Sequence, residues 1–298
     1  MFKIQQLVSL FLQLVKGIIN ALKSAESMVE LEKEIQILVQ QVAARLLEFA
    51  LYEIDTRLAK ERNPEKYKNI GIRSRTMITT LGVIEIKRRY YKDNETGENH
   101  FLLDEALGLS PRSRVSPRLE RMMLDLGTET TFRKASNTLE YLVPGISHIT
   151  VWNEIQRAGA KAKQETEERQ AELFEDGIIP EGKHSVKGLN IEADGVMIRQ
   201  QQTSKRHEEV KLVVGYESKE GEERKRLVNR KTVAGVANSN TIWEQASAIF
   251  GAEWQLTGDE EIRIGGDGAA WVKEGTEVFP GATYHLDLFH LRTRLMEA

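Results

Sequence analysis

Three acidic motifs in the C-terminal half hold the side chains best suited to chemistry. Gly188-Leu-Asn-Ile-Glu-Ala-Asp194-Gly195-Val-Met-Ile-Arg199 reads as an apolar strand interrupted by acids, and two-residue alternation puts Asn190, Glu192 and Asp194 on one face, opposite Leu189, Ile191 and Ala193. Glu261-Ile-Arg-Ile-Gly-Gly-Asp267-Gly-Ala-Ala-Trp271 reads as strand, glycine-rich turn and helix start. Asp267 then stands just past a strand end, where alternating α/β sheets bind their ligands. Tyr284-His-Leu-Asp287-Leu-Phe-His290 is a strand end running into a helix, and Asp287 and His290 at i, i+3 share a helical face. Carboxylates gathered at strand ends suit Mg²⁺ or Mn²⁺, which prefer hard oxygen ligands. Each motif also has a plainer reading. Asp-Gly between alternating apolar residues signals a hairpin turn, Asp267 suits a helix N-cap, and Asp287 can cap a helix beside an incidental histidine. The glycines around Asp267 do not form a phosphate-binding loop, because no Lys-Ser/Thr pair follows them.

The elements that must position these motifs belong to an ordered chain. Its 298 residues are 40% hydrophobic and 29% charged, enough for two or three folding units each with a core. With no cysteine, disulfides, cysteine-based zinc sites, iron–sulfur clusters and cysteine nucleophiles are excluded, and any metal must sit on carboxylates or histidine. The uncharged run over residues 4–15 is shorter than the roughly 18–20 residues of a membrane span, and no small-residue cleavage site follows it. The expectation is a cytoplasmic protein with no membrane partner. Charge is uneven: residues 1–150 carry 22 Lys and Arg against 19 Asp and Glu, whereas residues 151–298 carry 20 against 26. Within the first half, residues 57–92 hold eleven bases against three acids, a balance that suits a polyanion or, more blandly, a solvated basic face.

Residues 2–23 read as an amphipathic helix and residues 26–62 as a longer one with a short coiled-coil-like seam through Leu31, Ile35, Leu38 and Val42, so the first helix is expected to pack against the second or against a partner copy. From Thr76 the period drops to two, giving a hairpin over 76–91 whose basic, aromatic strand Lys87-Arg88-Arg89-Tyr90-Tyr91 offers cations to phosphates, although alternating tyrosines also suit sheet packing. A short strand is expected near residues 100–103. Ser116-Pro117 opens a helix, Thr130/Thr131 a second and Ser147 a third, with Pro144-Gly145 as the break between the last two. That spacing is a helix-turn-helix with Ala135, Leu139, Ile146, Val151 and Ile155 as its core. His148, Thr150, Asn153, Gln156 and Arg157 project from the third helix toward base edges and phosphates, and Arg133 and Lys134 supply further cations. An ordinary helical hairpin with exposed polar residues has the same pattern. Residues 177–188, rich in glycine, mark the clearest boundary.

Taken together, strand-Asp194, two further strands, a helix, strand-Asp267-Gly and strand-Asp-x-x-His resemble the catalytic domain of Asp-Asp-Glu (DDE) transposases with a ribonuclease-H-like fold, including the Cys/Asp-x-x-His signature of Mutator-like elements. With Ile84-Glu-Ile-Lys-Arg-Arg-Tyr-Tyr91 and Leu103-Asp-Glu-Ala-Leu-Gly-Leu109, the whole chain resembles the ISLre-type bacterial insertion-sequence transposases, a transposase-like uncharacterised family. The resemblance implies metal-dependent DNA cleavage and strand transfer at the terminal repeats of an element, with Asp194 and Asp267 as catalytic metal ligands for Mg²⁺ or Mn²⁺. Asp287 and His290 support them, and double-stranded DNA and further copies of the chain are the partners. The expected organisation is multidomain α+β: a helical N-terminus over 1–66, a small basic β-sheet over 67–110, a helix-turn-helix over 111–160, a charged helix and linker over 161–187, and a ribonuclease-H-like α/β domain over 188–298. The family's third acid is a glutamate on a later helix, and only Glu297 follows the last motif, so that domain is expected to be incomplete and C-terminally truncated. The alternative is a catalytically inactive remnant or regulator that binds terminal-repeat DNA.

Overall fold

The computed structural model describes residues 4–199, 207–222, 225–287, 292 and 296. The chain forms two compact units, Met1–Ala158 and Gly159–Ala298. The three regions expected over 1–66, 67–110 and 111–160 thus share one unit. No helix among the described residues is long and apolar enough to cross a membrane.

The first unit starts with α1 (Ile4–Ser24) and α2 (Met28–Glu61), the latter capped by Ser27, whose hydroxyl accepts from the Glu30 amide. Strands β1 (Tyr67–Thr79) and β2 (Gly82–Asp93) pair antiparallel, and β3 (Asn99–His100) adds to β2. The strand β1 begins nine residues before the expected one. Residues 68–74 are exposed on both faces, so the two-residue hydrophobic alternation that betrays a half-buried strand is missing there. After β3 the chain turns into α3 (Leu102–Ala106) rather than continuing as a strand. Met77, Ile84 and Ile86 of the hairpin bury against Ala44, Leu51 and Leu103. Then come α4 (Pro117–Glu129), α5 (Phe132–Glu140) and α6 (His148–Phe174), with Ser116, Thr131 and Ser147 accepting from amides of their first turns. Ala135, Leu139, Ile146 and Val151 are buried together with Leu119 and Met123, and Ile155 packs against them, as the spacing predicts. The helix α6 does not stop near residue 160. It continues to Phe174, 27 residues in all, so the charged helix expected after residue 160 is its second half, with Lys161–Glu165 and Lys163–Glu167 as i, i+4 pairs of the kind that stabilise exposed helices.

The second unit contains β4 (His184–Ser185), β5 (Gly188–Arg199), β6 (His207–Tyr216), β7 (Ser218–Glu220), β8 (Arg226–Val228) and β9 (Lys231–Gly235), followed by α7 (Ser239–Gly251), β10 (Trp254–Gln255), β11 (Glu261–Gly266), α8 (Ala270–Lys273), α9 (Gly275–Val278) and β12 (Thr283–Leu286). The expected third strand is split, because Asn229 at φ +48° breaks it into β8 and β9. Among the described residues the main sheet has the order β12-β11-β5-β6-β9. The first three strands in sequence, β5, β6 and β9, run antiparallel, and β11 and β12 run parallel to β5. Its core lies on one face, where Leu189, Ile191, Ala193, Val213, Ile262 and Ile264 meet Ile242, Trp243, Ala246 and Phe250 of α7.

Glu217, between β6 and β7, ties this unit together. Its Oε1 accepts from Trp254 Nε1 at 2.8 Å and Asn229 Nδ2 at 2.9 Å, lies 2.8 Å from His184 Nε2, and its carbonyl accepts from Asn190 Nδ2 at 3.1 Å. Burial pushes its carboxyl up, but the hydrogen bonds outweigh that and hold it below the ordinary 4.5. A depressed folded value means the carboxylate contributes stability fully above pH 4.5 and loses it as pH falls through the folded value. Urea midpoints of the wild type should therefore drop on acidification below that pH. Glu217→Gln should start lower at neutral pH and show a shallower acid slope; an unchanged slope would remove Glu217 from the acid response.

Candidate functional site

The three acidic motifs meet at one edge of the second unit because of strand register. Ala193 on β5 lies opposite Gly266 on β11, and Gly266 lies opposite Leu286 on β12. The next residues, Asp194, Asp267 and Asp287, therefore occupy successive lanes along three adjacent parallel strands, and the Asp287 amide continues the ladder by donating to Gly266 O at 2.9 Å. Leu189, Ile191 and Ala193 are buried, so alternation sends Glu192 and Asp194 to the opposite, solvated face. The strand β5 runs unbroken through Asp194-Gly195, with Asp194 opposite Leu212, so the pair is not a hairpin turn here. The Asp194 Oδ1 accepts from the Gly195 amide at 2.8 Å. Asp267 is half-buried and caps no helix: its Oδ1 accepts from the Ala269 amide at 2.9 Å, closing a turn over Gly268, whose φ of +95° suits glycine. At Gly266 a Cβ would stand 2.9 Å from the Ala193 carbonyl oxygen and 2.6 Å from Val272, so only glycine lets the strands close there.

Glu192, two residues before Asp194, accepts from Tyr216 Oη at 2.7 Å and Lys219 Nζ at 2.8 Å. Burial pushes its carboxyl up, and so does the charge of Asp287, but the two donors outweigh both and leave it below the ordinary value. The acids of the rim thus feel one another electrostatically, and Lys219 offsets part of their charge. Among the described residues no three Asp, Glu or His side chains form a metal-holding group. His290 and Glu297 lie outside the described residues.

The basic residues of the first unit divide into two kinds. Lys87 is exposed. Arg88 is buried, pairs with Asp104 and lies with its guanidinium carbon 3.8 Å from the centre of the Phe101 ring; desolvation, then the charge of Arg75, lowers it to about 10. Arg89 pairs with Asp55, itself 2% exposed, through both its guanidinium and its amide. Tyr90 stacks on Phe101 and Tyr91 is buried, so these rings pack the sheet. Of Lys87, Arg88 and Arg89, Lys87 is left for an outside anion, as is the exposed Lys92 further along β2, because acids from α3 and α2 claim Arg88 and Arg89.

On the helices, Arg133 and Lys134 are exposed at the start of α5, and His148 and Asn153 are exposed on α6. Thr150 instead bonds Ser147, 3.0 Å between hydroxyls, and Arg157 pairs with Glu120 at 2.9 Å and with Glu154. Two exposed apolar residues, Ile149 and Trp152, share the face of His148 and Asn153. A reading by polar type passed over them, although at 100° per residue Ile149 stands at least about 120° from both Val151 and Ile155. Arg112, Arg114, Arg118 and Arg121 are further exposed cations.

The fold and these groups define an α+β protein with a basic helical unit and a separate carboxylate-edged sheet. The chain belongs to the family described as Uncharacterised protein family (UPF0236), which matches residues 21–298. It is similar to UPF0236 proteins of Caldanaerobacter subterraneus subsp. tengcongensis, one 29% identical over 286 residues and another 28% identical over 285, each match covering 94% of this chain and 57% of the relative. A UPF0236 protein in the vanSb 3′ region of Streptococcus gallolyticus is 33% identical over 191 residues, 63% of this chain and 39% of that relative. The chain spans a little over half the length of the Caldanaerobacter relatives.

Removing Asp55 strands a largely buried arginine, whereas removing Lys87 strands nothing. Asp55→Ala should cost about 3 kcal/mol in urea denaturation. Lys87→Ala should stay within about 0.5 kcal/mol of the wild type. Equal effects would mean that Arg89 is not held as described.

Proposed function

We propose that this chain contains the DNA-binding and catalytic parts of a DDE-type transposase of the ISLre kind, which cleaves and transfers DNA strands at the ends of an element. The observation that carries this reading is the row of Asp194, Asp267 and Asp287 across three adjacent parallel strands. The strand order supports a ribonuclease-H-like reading of the sheet, since it sets the first strand beside the fourth and the fourth beside the fifth. A second support comes from the relatives' names: one joins eleven loci of a single genome and another four, the multiplicity that a self-copying element produces.

The donor chemistry of the row fits a divalent cation, Mg²⁺ or Mn²⁺, with Asp194 and Asp267 to hold it and Asp287 alongside. Such ions, when bound, activate an attacking hydroxyl and stabilise the leaving oxygen of a phosphodiester. The chain's own residues prepare this. The turn closed by Asp267 fixes its carboxylate, Gly266 brings the strands together, and Lys219 with Tyr216 holds Glu192 ionised beside the row. In the first unit, α4, α5 and α6 act as a helix-turn-helix on duplex DNA, with exposed arginines at 118 and 121 on α4 and at 112 and 114 just before it. Self-association belongs to the same reading, through Phe11, Ile19 and Leu22 on the exposed face of α1.

Two measurements test it. Duplex binding by the 298-residue chain should weaken by about a thousandfold between roughly 50 and 200 mM salt if some six phosphates are neutralised. With Mg²⁺ or Mn²⁺, whatever nicking of supercoiled plasmid these residues support should fall at least about a hundredfold in Asp194→Asn and in Asp267→Asn, as misplaced catalytic groups do. Nicking that survives both substitutions would overturn the catalytic assignment. Salt-dependent binding without any nicking would favour a DNA-binding protein that does not cut.

A further inference from the structure

The exposed face of α6 holds a mixture that phosphate binding alone does not explain. His148, Ile149, Trp152, Asn153 and Gln156 are all exposed and, at about 100° per residue, span an arc of about 140°. Val151, fully buried, and Ile155 carry the core packing of the helix; at 100° per residue Ile149 stands at least about 120° from both, and Trp152, about 60° from Ile155 and 100° from Val151, borders the buried stripe. Even so, Ile149 is 58% exposed and Trp152 46%. In the same helical region six cations, Arg112, Arg114, Arg118, Arg121, Arg133 and Lys134, are exposed, against the exposed acids Asp125, Glu129 and Glu140, while Glu120 is engaged by Arg157, a balance complementary to a polyanion.

The partner that matches an excess of exposed cations together with an apolar and amide helix face is the major groove of duplex DNA. The one apolar group presented there is the 5-methyl of thymine, and the edge an amide side chain reads best is that of adenine. We propose that α6 is selective for A·T pairs, with Ile149 and Trp152 packing on thymine methyls and Asn153 bonding adenine. This rests on the reading that the unit binds duplex DNA, and it assigns specificity to two residues outside the polar set. Backbone contacts of the arginines add affinity without choosing sequence.

Thymidine and deoxyuridine differ only in that methyl, so the substitution isolates the contact. The 298-residue chain would be used to select sites from a random duplex pool, and the recovered duplexes compared with copies carrying deoxyuridine at the thymidine positions. A·T pairs should be enriched, and each contacted methyl should be worth roughly fourfold in affinity, the value of one buried carbon group. Trp152→Ala and Ile149→Ala, both at exposed positions, should bind the thymidine duplex more weakly and shrink its advantage over the deoxyuridine duplex. Equal binding of the two duplexes by the wild type, or an undiminished preference in both variants, would overturn the assignment while leaving DNA binding intact. Failure to retain any duplex would overturn the DNA reading as well.

Discussion

Ala193, Gly266 and Leu286 lie side by side in three parallel strands, and everything proposed for the second unit depends on that pairing. Side chains alternate along a strand, so a slip of one residue between β5 and β11 would turn Asp267 toward the core face and bring an isoleucine to the solvated one. The register is held from both sides. Ile262 and Ile264 must stay under α7 with Leu189 and Ile191, and the backbone at Gly266 approaches Ala193 too closely for any side chain. Hydrophobic burial on one face thus sets the positions of the charged groups on the other.

The first unit follows a different economy. Its helices are positioned by a buried cluster and by glutamines of α2, since Gln36 and Gln40 donate at 2.6 Å to the carbonyls of Tyr141 and Leu142, just ahead of α6. Its arginines serve two ends. Arg75 braces the loop at Ser110 and Ser113 and pairs with Asp104, and Arg88 and Arg89 lock the hairpin to its neighbours, while those at 112–121 remain in solvent. A local excess of positive charge in the sequence is therefore a poor measure of the charge offered to a partner, because buried pairing consumes part of it.

Much of this was legible in the sequence where the signal is local. Ser116-Pro117, Thr131 and Ser147 announce the starts of α4, α5 and α6, and the core positions 135, 139, 146, 151 and 155 follow from spacing alone. The alternation through Leu189, Ile191 and Ala193 correctly predicts the face that bears Asp194. Distant partners defeat such reading. Asp194-Gly195 has the form of a turn, yet pairing with β6 carries the strand straight through it. Arg89 looks available until Asp55, 34 residues earlier, is placed beside it. The charged helix read after residue 160 is present as far as Phe174, but as an unbroken continuation of α6, a join that exposed ion pairs leave without a hydrophobic period to follow.

The strand β1 has one further consequence. It is an edge of its sheet, and Ile70 and Ile72 stand in solvent on it, 43% and 61% exposed, a combination that invites a second chain to pair and aggregate. The stretch is guarded. The ladder to β2 skips between Asn69 and Gly71, and Lys68 and Arg73 flank the isoleucines with like charges that would meet head-on in an intermolecular sheet. Neutralising both cations would remove that guard from the exposed edge, so part of the basic character of the segment opposes edge-to-edge pairing of folded chains.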